Sequence, residues 1–219
     1  MTIKTIIFDL DGTLINSEPD LANALNRLLA DYDVAPLTLA QVCTMIGNGA
    51  WKLVERGFRA SSTPLPDELD NLTKRFITYY SEAYDVETTV YPNVVETLKT
   101  LKEKGYKLAV CTNKPMEPTQ KVLKSYGLLD FMDGVVGGDS FSFKKPDGRH
   151  ITQLLDDMDC PHDSAIMVGD SQNDVYAARE AGIPVIFMTY GYSRVSAEEL
   201  KAEATLNDFA KITDVIESL

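Results

Sequence analysis

Apolar positions along this chain follow two rhythms. Short unbroken runs lie at 3–9, 106–112 ("YKLAVCT"), 134–138 ("GVVGG"), 165–170 ("AIMVGD") and 184–189 ("PVIFMT"). Their length and β-branched content predict buried strands. Helical spacing fills gaps between the later runs. "NVVETLKTLKEKG" opens on Asn93 with Glu96 three residues on and closes at Gly105. "SQNDVYAAREAG" runs likewise from Ser171 to Gly182. Such start and stop residues predict capped helices. Strands alternating with helices predict a parallel sheet covered on both faces.

One interval breaks the alternation. From Ser17 to Tyr84 the pattern is helical throughout. Ser17 and Asp20 stand at capping-box spacing, and Leu21, Leu25, Leu28, Leu29 and Tyr32 then share one face. Thr38 and Gln41 repeat that spacing. "GNG" (47–49) interrupts the chain before "AWKLVERGF". A longer helix follows, with Leu69, Leu72, Phe76, Tyr80 and Ala83 inward. The reading is a helical module at 17–84 set between the first and second strands. Its hinges fall near Ile15–Ser17 and Glu87–Pro92.

Composition narrows the class. The chain has 219 residues, enough for a core with an insertion; 44% are hydrophobic and 25% charged, as in soluble globular proteins. No run of about 18 apolar residues predicts a membrane span, and no signal-peptide pattern opens the chain. Cys43, Cys111 and Cys160 lack metal-ligand spacing and fit a reducing cytoplasmic setting. The net charge of −12 argues against a nucleic-acid partner.

Candidate chemistry sits at the strand ends, where open α/β sheets bind ligands. The first run ends in Asp9 and Asp11, the second in Thr112 and Asn113. Lys144 and Lys145 precede Pro146 after the third, and Asp170 closes the fourth, four residues before Asp174. Close carboxylates resist joint burial unless a cation compensates them. An oxygen-only set without clustered His or Cys suits Mg²⁺. A strand-end Asp can act as a nucleophile on phosphorus. Asp11 can reach the leaving oxygen, Gly12 permits close backbone approach, and Thr112 with helix-start amides can hold phosphoryl oxygens. A lysine offsets charge growing in the transition state.

Taken together, "DLDGTL", "CTNK", "KKP" and "GDSQND" resemble the four motifs of the haloacid dehalogenase superfamily of phosphotransferases. Within it, "IGNGAWKLVERGF" and "YPNVVETLKTLKEKGYKLAVCTNK" look most like phosphoglycolate phosphatases. The resemblance implies a Rossmann-like α/β core at 1–16 and 85–219 with a small all-helical cap at 17–84. It implies Asp9 as nucleophile, Asp11 as general acid/base, Thr112 as phosphoryl ligand and Lys145 as stabiliser. Mg²⁺ would be held by the Asp9 side chain, the Asp11 main-chain carbonyl and Asp170, with Asp174 in support. Gly148 stands where many relatives have a second proline.

Substrate contacts are expected from Gly12, Asn113, Gly47, Asn48 and Gly49, and from Lys52 and Arg56 one turn apart on a cap helix. The substrate expected is a small phosphorylated metabolite, 2-phosphoglycolate first; a homodimer is left open. Trp51 is assigned to the cap interior, and His150 and His162 to structural or exposed positions. A sugar-phosphate mutase of the same superfamily would typically use a cap histidine, and 17–84 contains none. A dehalogenase or phosphonate hydrolase would not need Asp11. A pyrophosphatase, a nucleotidase and a phosphate-binding regulatory protein remain alternatives.

Overall fold

The computed structural model describes residues 3–218. β1 (Thr5–Phe8) leads through β2 (Ile15–Asn16) into four helices: α1 (Glu18–Ala30), α2 (Leu39–Cys43), α3 (Ala50–Ala60) and α4 (Leu69–Glu82). The chain returns through β3 (Thr89–Val90). It then alternates: α5 (Val94–Glu103), β4 (Lys107–Cys111), α6 (Met116–Ser125), β5 (Gly134–Val136), α7 (Arg149–Asp157), β6 (Ala165–Gly169), α8 (Gln172–Ala181) and β7 (Val185–Met188). α9 (Ala197–Leu200), β8 (Ala204–Leu206) and α10 (Ile212–Ser218) close it.

Six strands form one parallel sheet in the order β5-β4-β1-β6-β7-β8. Strand positions alternate between its faces. Ile6, Phe8, Leu108 and Val110 pack with α5, α6 and α10. Ile7, Ala109, Met167 and Phe187 pack with α7, α8 and α9. Burial on both faces is why these runs lack polar alternation. From β1 the chain builds the sheet outward to β4 and β5, then returns to β6 on β1's other side. Such a reversal of strand order opens a crevice at the carboxyl ends of the strands.

The insertion has its own apolar cluster. Leu25, Leu28 and Leu29 of α1, Val54 and Phe58 of α3, and Leu72 and Phe76 of α4 meet there. Its two connections are not loose linkers: β2 and β3 pair antiparallel, Ile15 opposite Val90 and Asn16 opposite Thr89. The Asp20 carboxylate binds this ribbon, accepting from the Glu87 and Thr88 amides at 2.8–3.1 Å and the Thr88 hydroxyl at 2.7 Å.

Several expectations need correcting. Asp20 is thus a tertiary clasp, and Ser17 makes no capping bond to the helix. Asn93 is left-handed, and its carboxamide binds Asp208 rather than capping α5. The Thr38–Gln41 box forms as read. Trp51 is 40% exposed and donates to Asp70, outside the cap interior. β8 was not foreseen: its short, half-exposed segment has no buried-strand signature.

Candidate active site

Pairing of β1 with β6 sets Phe8 beside Val168, so Asp9 and Asp170 emerge side by side. Asp174 lies in the first turn of α8, where a negative side chain suits the helix start. Asp9, Asp170 and Asp174 are buried, and each can offer an oxygen within 4.8 Å of the others'. Lys145, from the loop after β5, is also buried. Its Nζ lies 3.0 Å from Asp9 Oδ1 and 2.6 Å from Asp174 Oδ1. Lys144, next in sequence, is exposed.

The bonding of each carboxylate separates them. Asp9 Oδ1 accepts from the Leu10 amide and Lys145, whereas Oδ2 accepts no hydrogen bond among the described residues. Asp170 Oδ1 accepts from the Thr13 hydroxyl at 3.0 Å and Oδ2 from the Tyr192 amide at 2.6 Å. Both Asp174 oxygens are committed, one to Lys145 and the other to Ser171.

Three carboxylates and one ammonium leave a surplus of two negative charges. Burial, only partly offset by Lys145, pushes Asp9 up to about 6. Burial and then Asp174 and Asp9 drive Asp170 well above the usual carboxylate range. Burial would lower Lys145, but Asp174 and Asp9 outweigh it and raise the ammonium above its ordinary value. A divalent, oxygen-seeking cation fits this donor set and charge. Room is kept by glycines: a Cβ at Gly12 or Gly191 would overlap the Asp170 carboxylate, and one at Gly169 would overlap Asp174.

Asp11 has different company. Its Oδ1 accepts from Ser17 Oγ at 2.5 Å, and both oxygens pair with Lys114 Nζ at 3.0 and 3.1 Å. The Lys114 ammonium is buried and lies 4.2 Å from the centroid of the Tyr80 ring, brought by α4. Burial alone would lower Lys114; Asp11 and Tyr80 reverse that and raise it. Burial also raises the Tyr80 phenol to about 12.

Between insertion and sheet edge lies a cavity of about 50 Å³. Asp9, Asp11, Thr112, Asn113, Lys114, Gly47, Gly49 and Tyr80 line it, with apolar walls from Leu21, Ile46, Leu53 and Phe76. That volume holds only a few waters. The seam is tied at Gly47, whose carbonyl accepts from Asn113 Nδ2 at 3.1 Å and Asn173 Nδ2 at 3.0 Å.

Some expected contacts are therefore reassigned. Asn113 spends its amide on Gly47 and the Lys145 carbonyl. Gly12 gives its own amide to Ile15, leaving its missing side chain as its contribution. Asn48 is outside the cavity lining. Lys52 pairs with Glu55 at 2.7 Å and lies over Trp51. Arg56 donates to the Met45 carbonyl, and burial with neighbouring Arg194 lowers its guanidinium. Neither cation lines the cavity. His150 is buried against the Gly137 carbonyl, and His162 is surface-paired with Asp156.

Lys114, Asn173 and Tyr192 carry no pattern that marks them as site residues, and Ser17 and Tyr80 read only as a helix cap and an inward-facing helix position. Lys114 and Asn173 lie inside "CTNK" and "GDSQND", so only their roles were missed. Tyr192 joins Asp170 to the first hinge: its hydroxyl donates to Asn16 and accepts from the Ser17 and Glu18 amides.

A doubly wound sheet with carboxylates at the β1–β6 crevice and a helical insertion after β1 defines a carboxylate-centred α/β protein with an inserted helical unit. The family described as haloacid dehalogenase-like hydrolase matches residues 6–188, and the chain belongs to it. A Rhodospirillum rubrum protein named "Phosphoglycolate phosphatase" is 43% identical, over 96% of this chain and 90% of that protein. A protein of the same name from Agrobacterium fabrum is 39% identical, over 96% and 91%. The crystal structure of a predicted phosphoglycolate phosphatase from Haemophilus somnus superposes with a TM-score of 0.92 at 37% identity, covering 98% of both chains. The chain is an enzyme of this family's phosphatase branch, a phosphoric monoester hydrolase.

Proposed function

We propose that the protein hydrolyses a short phosphate monoester, 2-phosphoglycolate first, with Mg²⁺ and through an aspartyl-phosphate at Asp9. The carrying observation is Asp9 itself. It lines the cavity, belongs to the acidic cluster, and has one carboxylate oxygen free of hydrogen bonds while Lys145 steadies the other. Asp9 and Asp170 side chains and the Asp11 main-chain carbonyl would hold Mg²⁺, with Asp174 behind them orienting Lys145. Bound there, the ion would offset charge on the phosphoryl oxygens.

Asp9 Oδ2 attacks phosphorus, and the bond from phosphorus to the ester oxygen breaks. Asp11 is the group placed to pass a proton to that leaving oxygen. Water then attacks phosphorus, Asp11 takes a proton from it, and the Asp9–phosphorus bond breaks. Thr112 and Lys145 bind the phosphoryl oxygens as their charge rises. The insertion moves on its paired hinge strands to admit substrate and exclude water.

The names of the curated relatives support phosphoglycolate. Purified protein with Mg²⁺ should be assayed on a panel of phosphate monoesters, ranked by kcat/KM. 2-Phosphoglycolate should rank first. A hexose phosphate or nucleotide above it would overturn the substrate, and no turnover of any ester would overturn the activity.

A further inference from the structure

Lys114 and Tyr80 form a pair the reaction does not use. Both are almost fully buried and both line the cavity, one from the loop after β4, the other from α4 in the insertion. The Tyr80 hydroxyl makes no hydrogen bond of good geometry among the described residues, and the charged group beside its ring, the Lys114 ammonium, offers it no acceptor. Leaving such a group unsatisfied is costly, so native structures rarely do it without a reason. Lys114 carries three donors and presents two contacts to Asp11. The cavity wall thus offers a cation and a phenolic donor facing the same space, beside the carboxylate placed to meet the leaving oxygen.

We propose that Lys114 and Tyr80 together receive the carboxylate at the non-reacting end of the substrate. This rests on the phosphatase reading and names the groups that select within it. An anion fits better than a neutral alcohol, because it must compete with Asp11 for the ammonium. A carboxylate fits better than a second phosphate, because Lys114 is the one cation among the described cavity-lining residues and the Asp9 and Asp11 carboxylates share the same wall, so a dianion would meet more repulsion than a monoanion. A carboxylate held this way bridges sheet edge and insertion, so the substrate itself closes the site. Lys52 and Arg56, bonded elsewhere, take no part.

The test compares 2-phosphoglycolate with ethyl phosphate, which has a methyl group in place of the carboxylate. Wild type, Tyr80→Phe and Lys114→Met are assayed for kcat/KM on both. Binding of the same two esters is measured by calorimetry in an Asp9→Asn background, which needs no turnover. Tyr80→Phe should lower the phosphoglycolate-to-ethyl ratio about tenfold and Lys114→Met about a hundredfold, as expected for one hydrogen bond from a neutral donor to a carboxylate and one from an ammonium. Lys114→Met also disturbs Asp11, so both rates fall, but the ratio falls with them. Unchanged ratios in both variants overturn the proposal, leaving Lys114 to position Asp11 and Tyr80 to pack. Carboxylate-selective binding that depends on both residues, without turnover of any ester, would sink the phosphatase reading and uphold this one.

Discussion

Asp11 shares its carboxylate between Ser17 and Lys114, and this shapes what its replacement does. Asp11→Asn keeps the shape and removes the proton. Loss on an alkyl phosphate should reach about 10²- to 10⁴-fold, the usual worth of a positioned acid or base. An aryl phosphate, whose leaving group barely needs a proton, should lose much less. Equal losses in parallel kcat measurements would remove the acid role. Gly12 works by lacking a side chain: its φ is +90, and a Cβ would strike the Asp170 carboxylate. Gly12→Ala should cost about 1–3 kcal/mol of stability through backbone strain. It should also weaken the response to Mg²⁺, read as a smaller rise in Tm on adding the ion. A full wild-type rise would mean that Asp170 takes no part in holding the metal.

The insertion is held over the sheet edge by few bonds. Gly47's carbonyl is clasped by Asn113 and Asn173, and Asn113 also supports the Lys145 loop. Asn173 is therefore the cleaner probe. Asn173→Ala removes one hydrogen bond, worth about 1 kcal/mol, from the closed arrangement. Amide exchange over residues 46–50 should quicken and KM for the short ester should rise several-fold, with Tm little changed. Unaltered exchange there would show that the seam does not depend on this latch. The opposite end behaves differently. Asp20 gathers three donors from Glu87 and Thr88, and β2 pairs with β3, so the connections form a braced hinge. The insertion thus has a firm pivot and a light latch, as a closing element requires.

At the scale of the molecule, the acidic cluster opposes its own burial. Asp9 is raised to about 6 in the metal-free fold, against about 4 for a free carboxyl. Between these values the fold keeps a proton that the unfolded chain has lost. The favourable contribution is whole below about pH 4 and is lost as pH rises past 6. Asp170 is shifted in the same direction. A bound dication removes this penalty. Addition of Mg²⁺ should therefore raise Tm by more at pH 8 than at pH 5, the difference being on the order of 1 kcal/mol in stability for Asp9. Thermal melts with Mg²⁺ and with chelator check this, and an increment that shrinks with rising pH would contradict it.

The core of the site was legible before any folding because its residues sit beside strands. A strand and its first turn fix where Asp9, Asp11, Thr112 and Asp170 emerge, and parallel pairing brings those ends together. The helical rhythm of 17–84 likewise announced an insertion. What stayed hidden depends on how that insertion folds back. Lys52 and Arg56 carry the right charge at helix spacing, yet α3 turns them to Glu55 and the Met45 carbonyl. Tyr80 read as interior apolar surface, and only the packing of α4 beside Lys114 gives its hydroxyl an address. Ser17–Asp20 and Asn93–Glu96 have capping spacing, but their side chains bond Asp11, Thr88 and Asp208 instead. A local pattern sets which element forms, because backbone bonding is local. The partner of a polar side chain is decided by tertiary contact: Ser17 and Asp20 make shielded charge-assisted bonds that outweigh a solvent-exposed cap, and Asn93, at the surface, bonds the carboxylate that folding brings beside it.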